Sequence, residues 1–213
     1  IKQVVEVYRR FRNTFRFLLG NIHGFDPKKD RVAREKLPTI DQWAQAKLQQ
    51  LVERVTEHYE SYEFHRVFQE MNVFFTSDLS ATYLDILKDR LYTWNATGPS
   101  RRASQTVLFD ILDTTIRLLA PIASFLSEET YKYSPHKPTP SIFMREFPKV
   151  EPYSKEILAD FDVIIKLRDE TKLLLEGLRK DKKIGSSLDA QVQLSLDGTN
   201  YSVAERYQNS LRE

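Results

Sequence analysis

Residues 63–92 read EFHRVFQEMNVFFTSDLSATYLDILKDRLY. Apolar side chains fall at Phe64, Val67, Phe68, Met71, Phe74, Phe75, Leu79, Tyr83, Ile86, Leu87 and Leu91. Steps of three and four keep returning to one side of a helix with about 3.6 residues per turn. Neither Gly nor Pro interrupts the run, and four of its apolar residues are Phe. The stretch is therefore expected to be the central helix of a bundle. Its polar side ends in Asp85, Lys88, Asp89 and Arg90 and is expected to point outward, either as a solvated face or as a surface that meets a partner.

Upstream, residues 1–21 carry Val4, Val5, Tyr8, Phe11, Phe15, Leu18 and Leu19 at helical spacing, with Gly20 and Gly24 near the end, where helix C-termini favour glycine. Arg9, Arg12, Asn13 and Arg16 share one face of that helix. A polar connection over 25–38 leads to Asp41, which is expected to cap a helix with Ala44, Leu48, Leu51, Val55 and Tyr62 inward. Downstream, Gly98-Pro99 breaks the chain, and Ser100 is expected to cap a fourth long helix that Pro121 ends. Ser127 is expected to cap a short helix whose first turn holds Glu128 and Glu129. Long amphipathic helices on short loops imply an antiparallel bundle.

Five prolines over 134–152 mark an extended crossover and a boundary. The expected division is a helical bundle over 1–150 and an appendage over 151–213. In the appendage a helical run, 154–183, has Ile157, Leu158, Phe161, Ile164, Leu167 and Leu174 inward and ends in Arg179, Lys180, Lys182 and Lys183. Residues 190–196 alternate in the manner of a half-buried strand, and Ser202-Val203-Ala204-Glu205 fits a capping box. The fold class expected is mainly α: an antiparallel bundle of four to five long helices with a small truncated α/β appendage at the C-terminus.

The 213 residues are 41% hydrophobic, enough for a core, and carry a net charge of only +2. Total charge therefore does not mark a nucleic-acid binder; its distribution has to. The absence of Cys excludes disulfides and Cys-ligated metals and favours a reducing compartment. No stretch approaches the roughly 20 apolar residues that span a bilayer. The chain opens on Ile1 and closes on Glu213, each inside a periodic pattern, so it reads as an excised piece of a longer protein.

Signatures of catalysis are missing. There is no glycine-rich phosphate loop, G-x-S-x-G or H-E-x-x-H, and His23, His58, His65 and His136 do not sit at metal-ligand spacing. Asp78 is expected to hydrogen-bond a neighbouring helix, or Ser80 or Thr82. No catalytic, cofactor-binding or metal-ligating residue is assigned.

Several strings together resemble one family. RRFRNTFRFLLGNI, DLSATYLDILKDRLY, RRASQTVLFDIL followed by LLAPIASFLSEETY, and KKIGSSLDAQVQL are similar, in this order, to the helical anticodon-binding domain that follows the catalytic domain in bacterial-type isoleucyl-tRNA synthetases. The resemblance runs over nearly the whole chain. It implies a class I aminoacyl-tRNA synthetase, a cytoplasmic and monomeric enzyme that joins isoleucine to its tRNA with ATP and Mg. This piece lacks the HIGH and KMSKS-type strings, the editing insertion and the Cys-rich zinc module, so it would bind tRNA and leave chemistry to the catalytic domain of the same chain. The corresponding domain of a valyl-tRNA synthetase and a helical protein-interaction module remain the alternatives.

An anticodon stem-loop offers phosphates and splayed bases, met by Arg, Lys, Asn and aromatic side chains. By the resemblance, Asn13 and Arg16 face the anticodon, beside Arg9 and Arg12. A second group, Lys88, Arg90, Trp94, Arg101 and Arg102, surrounds the loop before the fourth helix. Trp94 either stacks on a base or caps the bundle core. Arg101 and Arg102 lie at a helix start, against the dipole preference, which hints at a partner. The run 179–183 is a third basic cluster, better explained as a charged helix end.

Overall fold

The computed structural model describes residues 2–186 and 189–208. They form α1 (Lys2–Asn21), α2 (Thr39–Glu60), α3 (Phe64–Val73), a π-helical stretch (Phe74–Tyr83), α4 (Leu84–Ile86), α5 (Lys88–Tyr92), α6 (Pro99–Leu119), α7 (Ser124–Lys132), α8 (Lys155–Lys180) and α9 (Gly198–Arg206). Short 3-10 turns occupy Arg34–Lys36 and Ile142–Met144. The chain divides into two compact units, residues 1–153 and 154–213.

The first unit is the expected mainly α bundle. α1 buries Val7, Phe11, Phe15 and Leu18, at steps of three and four. Phe11 and Phe15 meet the Phe75 ring at 5.0 and 5.4 Å between centroids. Gln105 Nε2 donates to the Asn21 carbonyl (2.9 Å), and Tyr59 Oη donates to the Leu118 carbonyl (2.8 Å). The first bond sets the end of α1 against the start of α6, so those two helices run antiparallel. The second sets the end of α2 against the end of α6, so those two run parallel.

The run 63–92 is helical from Phe64 to Tyr92 apart from a turn at Leu87, but it is not one α-helix. Over Phe74–Tyr83 the chain widens to bonds spanning five residues: Leu84 N–H reaches the Leu79 carbonyl, Ser80 Oγ the Phe75 carbonyl and Thr82 Oγ1 the Ser77 carbonyl. The wider turn keeps Phe74, Phe75, Leu79 and Tyr83 all buried. Asp78 pairs with Lys47 of α2 at 3.3 Å, the neighbouring-helix partner expected for it.

The helix enclosed on most sides is α6, not 63–92. It buries residues 103–109 and 111–116 together with Leu118 and Leu119. Its polar residues fit because their hydroxyls bond back into the helix: Thr106 to the Arg102 carbonyl (2.8 Å) and Thr115 to that of Ile111 (2.6 Å).

Helix starts differ from those read off the sequence. α2 begins at Thr39 after Pro38, and Asp41 lies inside its first turn, fully buried as an ion-pair partner. α6 begins with Pro99 at its first position, where a missing N–H costs no bond, so Gly98 and not Ser100 is the cap. α7 begins a turn before Ser127, which is buried inside it. Its Glu128 accepts from Ser141 Oγ (2.9 Å) and from the Ile142 N–H (3.0 Å). The proline-rich segment is pinned along its length: Arg145 reaches Asp113 at 2.9 Å, and Glu151 N–H donates to Gln49 at 2.8 Å.

In the second unit, α8 packs on α9, Ile157, Leu158 and Phe161 of α8 and Val203 of α9 are buried, and the Phe161 and Tyr207 ring centroids are 5.5 Å apart. Arg206 reaches Asp160 at 2.7 Å. α9 starts at Gly198 with Asp197 as cap, a turn before the expected Ser202. Residues 190–196 take no regular secondary structure, and among the described residues no strand is present to pair with them. Alternation alone does not make a strand; its backbone donors and acceptors need a ladder partner. Val192 and Leu194 are accordingly exposed, as is Leu174, which was expected inward.

One polar cluster sits in the core of the first unit. Arg90 Nη1 is 2.8 Å from Asp41 Oδ2, Tyr83 Oη donates to Asp41 Oδ1, and Arg90 and Asp41 are 3% and 0% exposed. Arg90→Met leaves a buried carboxylate without its cation and is expected to cost about 3–5 kcal/mol, read as a fall in the urea midpoint. Burial, reinforced by the Asp41 charge, raises the Tyr83 phenol well above its ordinary value of 10.0, and burial also raises Tyr59. The unfolded chain then loses these protons at lower pH than the folded one. Stability is thus fully present below about pH 10 and falls as pH rises above it. Urea midpoints measured from pH 8 upward should show this fall, with a shallower slope in Tyr83→Phe.

Candidate nucleic-acid interface

Burial of Val7, Phe11, Phe15 and Leu18 turns Arg9, Arg12, Asn13 and Arg16 to solvent, as expected of that face. Arg9 pairs with Glu6 one turn before it (2.8 Å), and Arg12 lies 3.8 Å from Glu129 of α7. Both pairs are exposed, and ion pairs of that kind contribute little and yield easily to a stronger anion. The side chains of Asn13 and Arg16, with that of Arg10 beside them, form no hydrogen bond or ion pair with any described residue.

The second group is split by the fold. Arg90 does not point outward: it spends its guanidinium on Asp41 and lies under the exposed Trp94 ring, 6.0 Å from its centroid. Charge periodicity placed it outside because a buried ion pair and a solvated charge have the same spacing. Arg102 is also turned inward, to the Gly24 carbonyl (3.2 Å), Gln105 (2.8 Å) and Asp30 (3.4 Å). The partner hinted at by a cation at a helix start is, for Arg102, its own chain. Arg101 is part-buried, with Nε enclosed and unbonded among the described residues. Lys88 is exposed and bonded to Asp85 at 2.8 Å.

Sequence reading passed over the loop that Arg102 anchors. Asp30 Oδ2 accepts the Asp26 N–H (2.8 Å) and Asp26 Oδ1 accepts that of Lys28 (2.9 Å). These bonds shape the turn that exposes Lys28 and Lys29. Asp26-Pro27, a strong turn signal, was the available clue. Because α1 ends where α6 begins, His23, Lys28, Lys29, Trp94 and Arg101 gather at one end of the bundle.

An open cleft of about 240 Å³ beside Gln49, Thr114 and Glu151 has its one enclosed cation, Arg117, paired with Asp113 at 2.8 Å. Among the described residues no three His, Asp or Glu side chains converge to hold a metal, and no helix is long and apolar enough to cross a membrane. The geometry offers exposed guanidinium groups on a rigid helix, a solvent-facing indole and a lysine loop, which suit a phosphate backbone with unstacked bases.

A family model described as the anticodon-binding domain of tRNA ligase matches residues 41–194. The chain belongs to that family. This anticodon-binding domain is 43% identical over 209 residues to an isoleucine–tRNA ligase of Symbiobacterium thermophilum, covering 96% of this chain and 22% of that protein. It is 42% identical over 219 residues to one of Thermotoga petrophila (100% and 24%), and 46% identical over 204 residues to one of Carboxydothermus hydrogenoformans (94% and 22%). The domain thus spans about a quarter of the length of these relatives. The family model begins inside α2, whereas the Thermotoga petrophila match takes in α1 and its arginine face.

If Arg102 holds the lysine loop, Arg102→Ala should free it. Amide exchange at Asp26, Lys28 and Asp30 is expected to quicken, while exchange in the middle of α6 stays slow.

Proposed function

We propose that this anticodon-binding domain is part of an isoleucine–tRNA ligase and grips the anticodon stem-loop of the tRNA for isoleucine. The names of its relatives support the amino acid. The observation that carries the grip is the outer face of α1, where Arg16 and Asn13 stand exposed with no partner among the described residues. A folded domain that internally pairs Arg31, Arg90, Arg102, Arg117 and Arg145 leaves these groups for something outside it. Arg12 and Arg9 extend the face, and Lys28, Lys29, Trp94 and Arg101 form a second contact zone at the end of the bundle. In this reading the joining of isoleucine to tRNA with ATP, the zinc module and the catalytic groups belong to the rest of a monomeric, cytoplasmic polypeptide.

Titration of the full-length ligase with isoleucine tRNA across a salt series tests the proposal. Arg16→Ala should weaken binding and lower the slope of log K against log salt by about one unit, the loss of one phosphate contact. Arg10→Ala is the neighbour for comparison. An unchanged slope in Arg16→Ala removes α1 from the footprint.

A further inference from the structure

Of the two tryptophans, Trp43 is enclosed in the core and Trp94 is 46% exposed. One face of the Trp94 ring lies over Arg90, whose guanidinium carbon is 6.0 Å from the ring centroid. A cation in that place is drawn to the negative face of the ring. Arg90 cannot move aside, because Asp41 holds it at 2.8 Å in a site that is 3% exposed. The backbone is fixed on both sides of the indole as well. Thr93 N–H and Oγ1 both donate to the Asp89 carbonyl, at 2.9 and 2.6 Å, closing the end of α5. Asn95 Oδ1 accepts the Thr97 N–H (3.0 Å), and the Asn95 carbonyl accepts that of Gly98 (3.0 Å), closing a tight turn into α6. A Cβ at Gly98 would lie 3.2 Å from that carbonyl, so the turn is drawn closer than most side chains allow.

An indole has two faces. Arg90 takes one, so the other is the face that solvent reaches, and it has room for a single flat partner. Asn95 and Thr97 beside it are exposed and polar, and Lys28, Lys29 and Arg101 gather at the same end of the bundle. A ring among polar and basic groups suits a nucleotide, whose base can lie on the ring while its phosphate meets the cations. Bases inside a stem are stacked above and below and show only their edges; a base released from the stack shows its face. We propose that the outer face of Trp94 is a preset platform for one unpaired base of the RNA loop, and that the buried Arg90 is its positioning residue. That the RNA is the anticodon stem-loop rests on the proposed function. An indole already seated loses little side-chain freedom when the base arrives, a cost that a freely turning one would meet in full.

Titration of the full-length ligase with isoleucine tRNA transcripts tests it. Trp94→Ala is expected to weaken binding about tenfold, the scale of one lost base–aromatic stack. The slope of log K against log salt should stay unchanged, because a stacked base releases no counterion. Trp94→Phe should keep most of the affinity. With a single abasic nucleotide moved along the anticodon loop, the loss from Trp94→Ala should vanish at one position, that of the base on the ring. Unchanged affinity in Trp94→Ala, a slope lowered by about one unit, or losses that add at every abasic position each overturn the inference. If Arg16→Ala lowers the slope while Trp94→Ala does nothing, the proposed function stands without the platform; if neither variant has an effect, both fall. Fluorotryptophan placed at position 94 alone reads the seating. Its fluorine NMR line in the RNA-free ligase should be as broad as the tumbling of the whole protein dictates, and it should shift with intact tRNA but not with the tRNA abasic at the identified position. A narrow line before tRNA is added means an indole that swings free of Arg90, and overturns the positioning role. In a ligase carrying Asp41→Leu and Arg90→Met together, which leaves no unpaired charge in the core, the line should narrow. An equally broad line in that folded variant also overturns the role, and if the variant does not fold, the line of the parent ligase decides.

Discussion

Asp41 and Arg90 form the constraint on which the bundle's geometry depends. A carboxylate at 0% exposure is tolerated only with a cation and hydrogen bonds around it, and here Arg90 and Tyr83 supply both. The pair joins the first turn of α2 to α5 and so fixes how far the chain may advance between them, including the π-helical turns of Phe74–Tyr83. An apolar contact would tolerate sliding by a fraction of a turn; a buried two-point bond does not. The same guanidinium also lies beneath Trp94 at 6.0 Å, so the exposed indole rests on a cation whose position the core sets.

Internally paired arginines recur through the first unit. Arg102 anchors the loop after α1, Arg31 reaches Asp110 while its guanidinium lies 5.7 Å from the Phe109 ring centroid, and Arg117 and Arg145 converge on Asp113. Each ties an irregular segment to α6 or its surroundings. Burial raises the Asp110 carboxyl above its ordinary value even with Arg31 and Gln45 bonded to it. A net charge of +2 therefore understates the division of labour. One set of cations shapes the backbone, and another, on α1 and the Lys28–Lys29 loop, is left at the surface.

Much of this was legible beforehand because it rests on periodicity. The buried stripe of α1, the break at Gly98-Pro99 and the helical run over 63–92 follow from spacing and from residues that terminate helices. What escaped depends on partners distant in sequence. Asp41 resembles a cap until Arg90, 49 residues away, claims it. α6 resembles a half-exposed helix because Ser104, Gln105, Thr106 and Thr115 are polar, yet their bonds to nearby carbonyls let them be buried. Residues 190–196 alternate correctly and still form no strand, since pairing cannot be read from one segment. On α1, the spacing that predicted Val4, Val5 and Tyr8 inward was correct in period, but the bundle does not extend far enough to cover them.

The two ends of the bundle differ in chemistry, and α1 connects them. Its 20 residues make a rod of about 30 Å at the usual helical rise, with no proline to bend it. Val4, Val5 and Tyr8 occupy its first turns, Arg9 to Arg16 its middle, and Asn21 its junction with α6 and the Lys28–Lys29 loop. The polar groups along that rod keep a fixed spacing and direction, because the helix is clamped by Phe11 and Phe15 against Phe75.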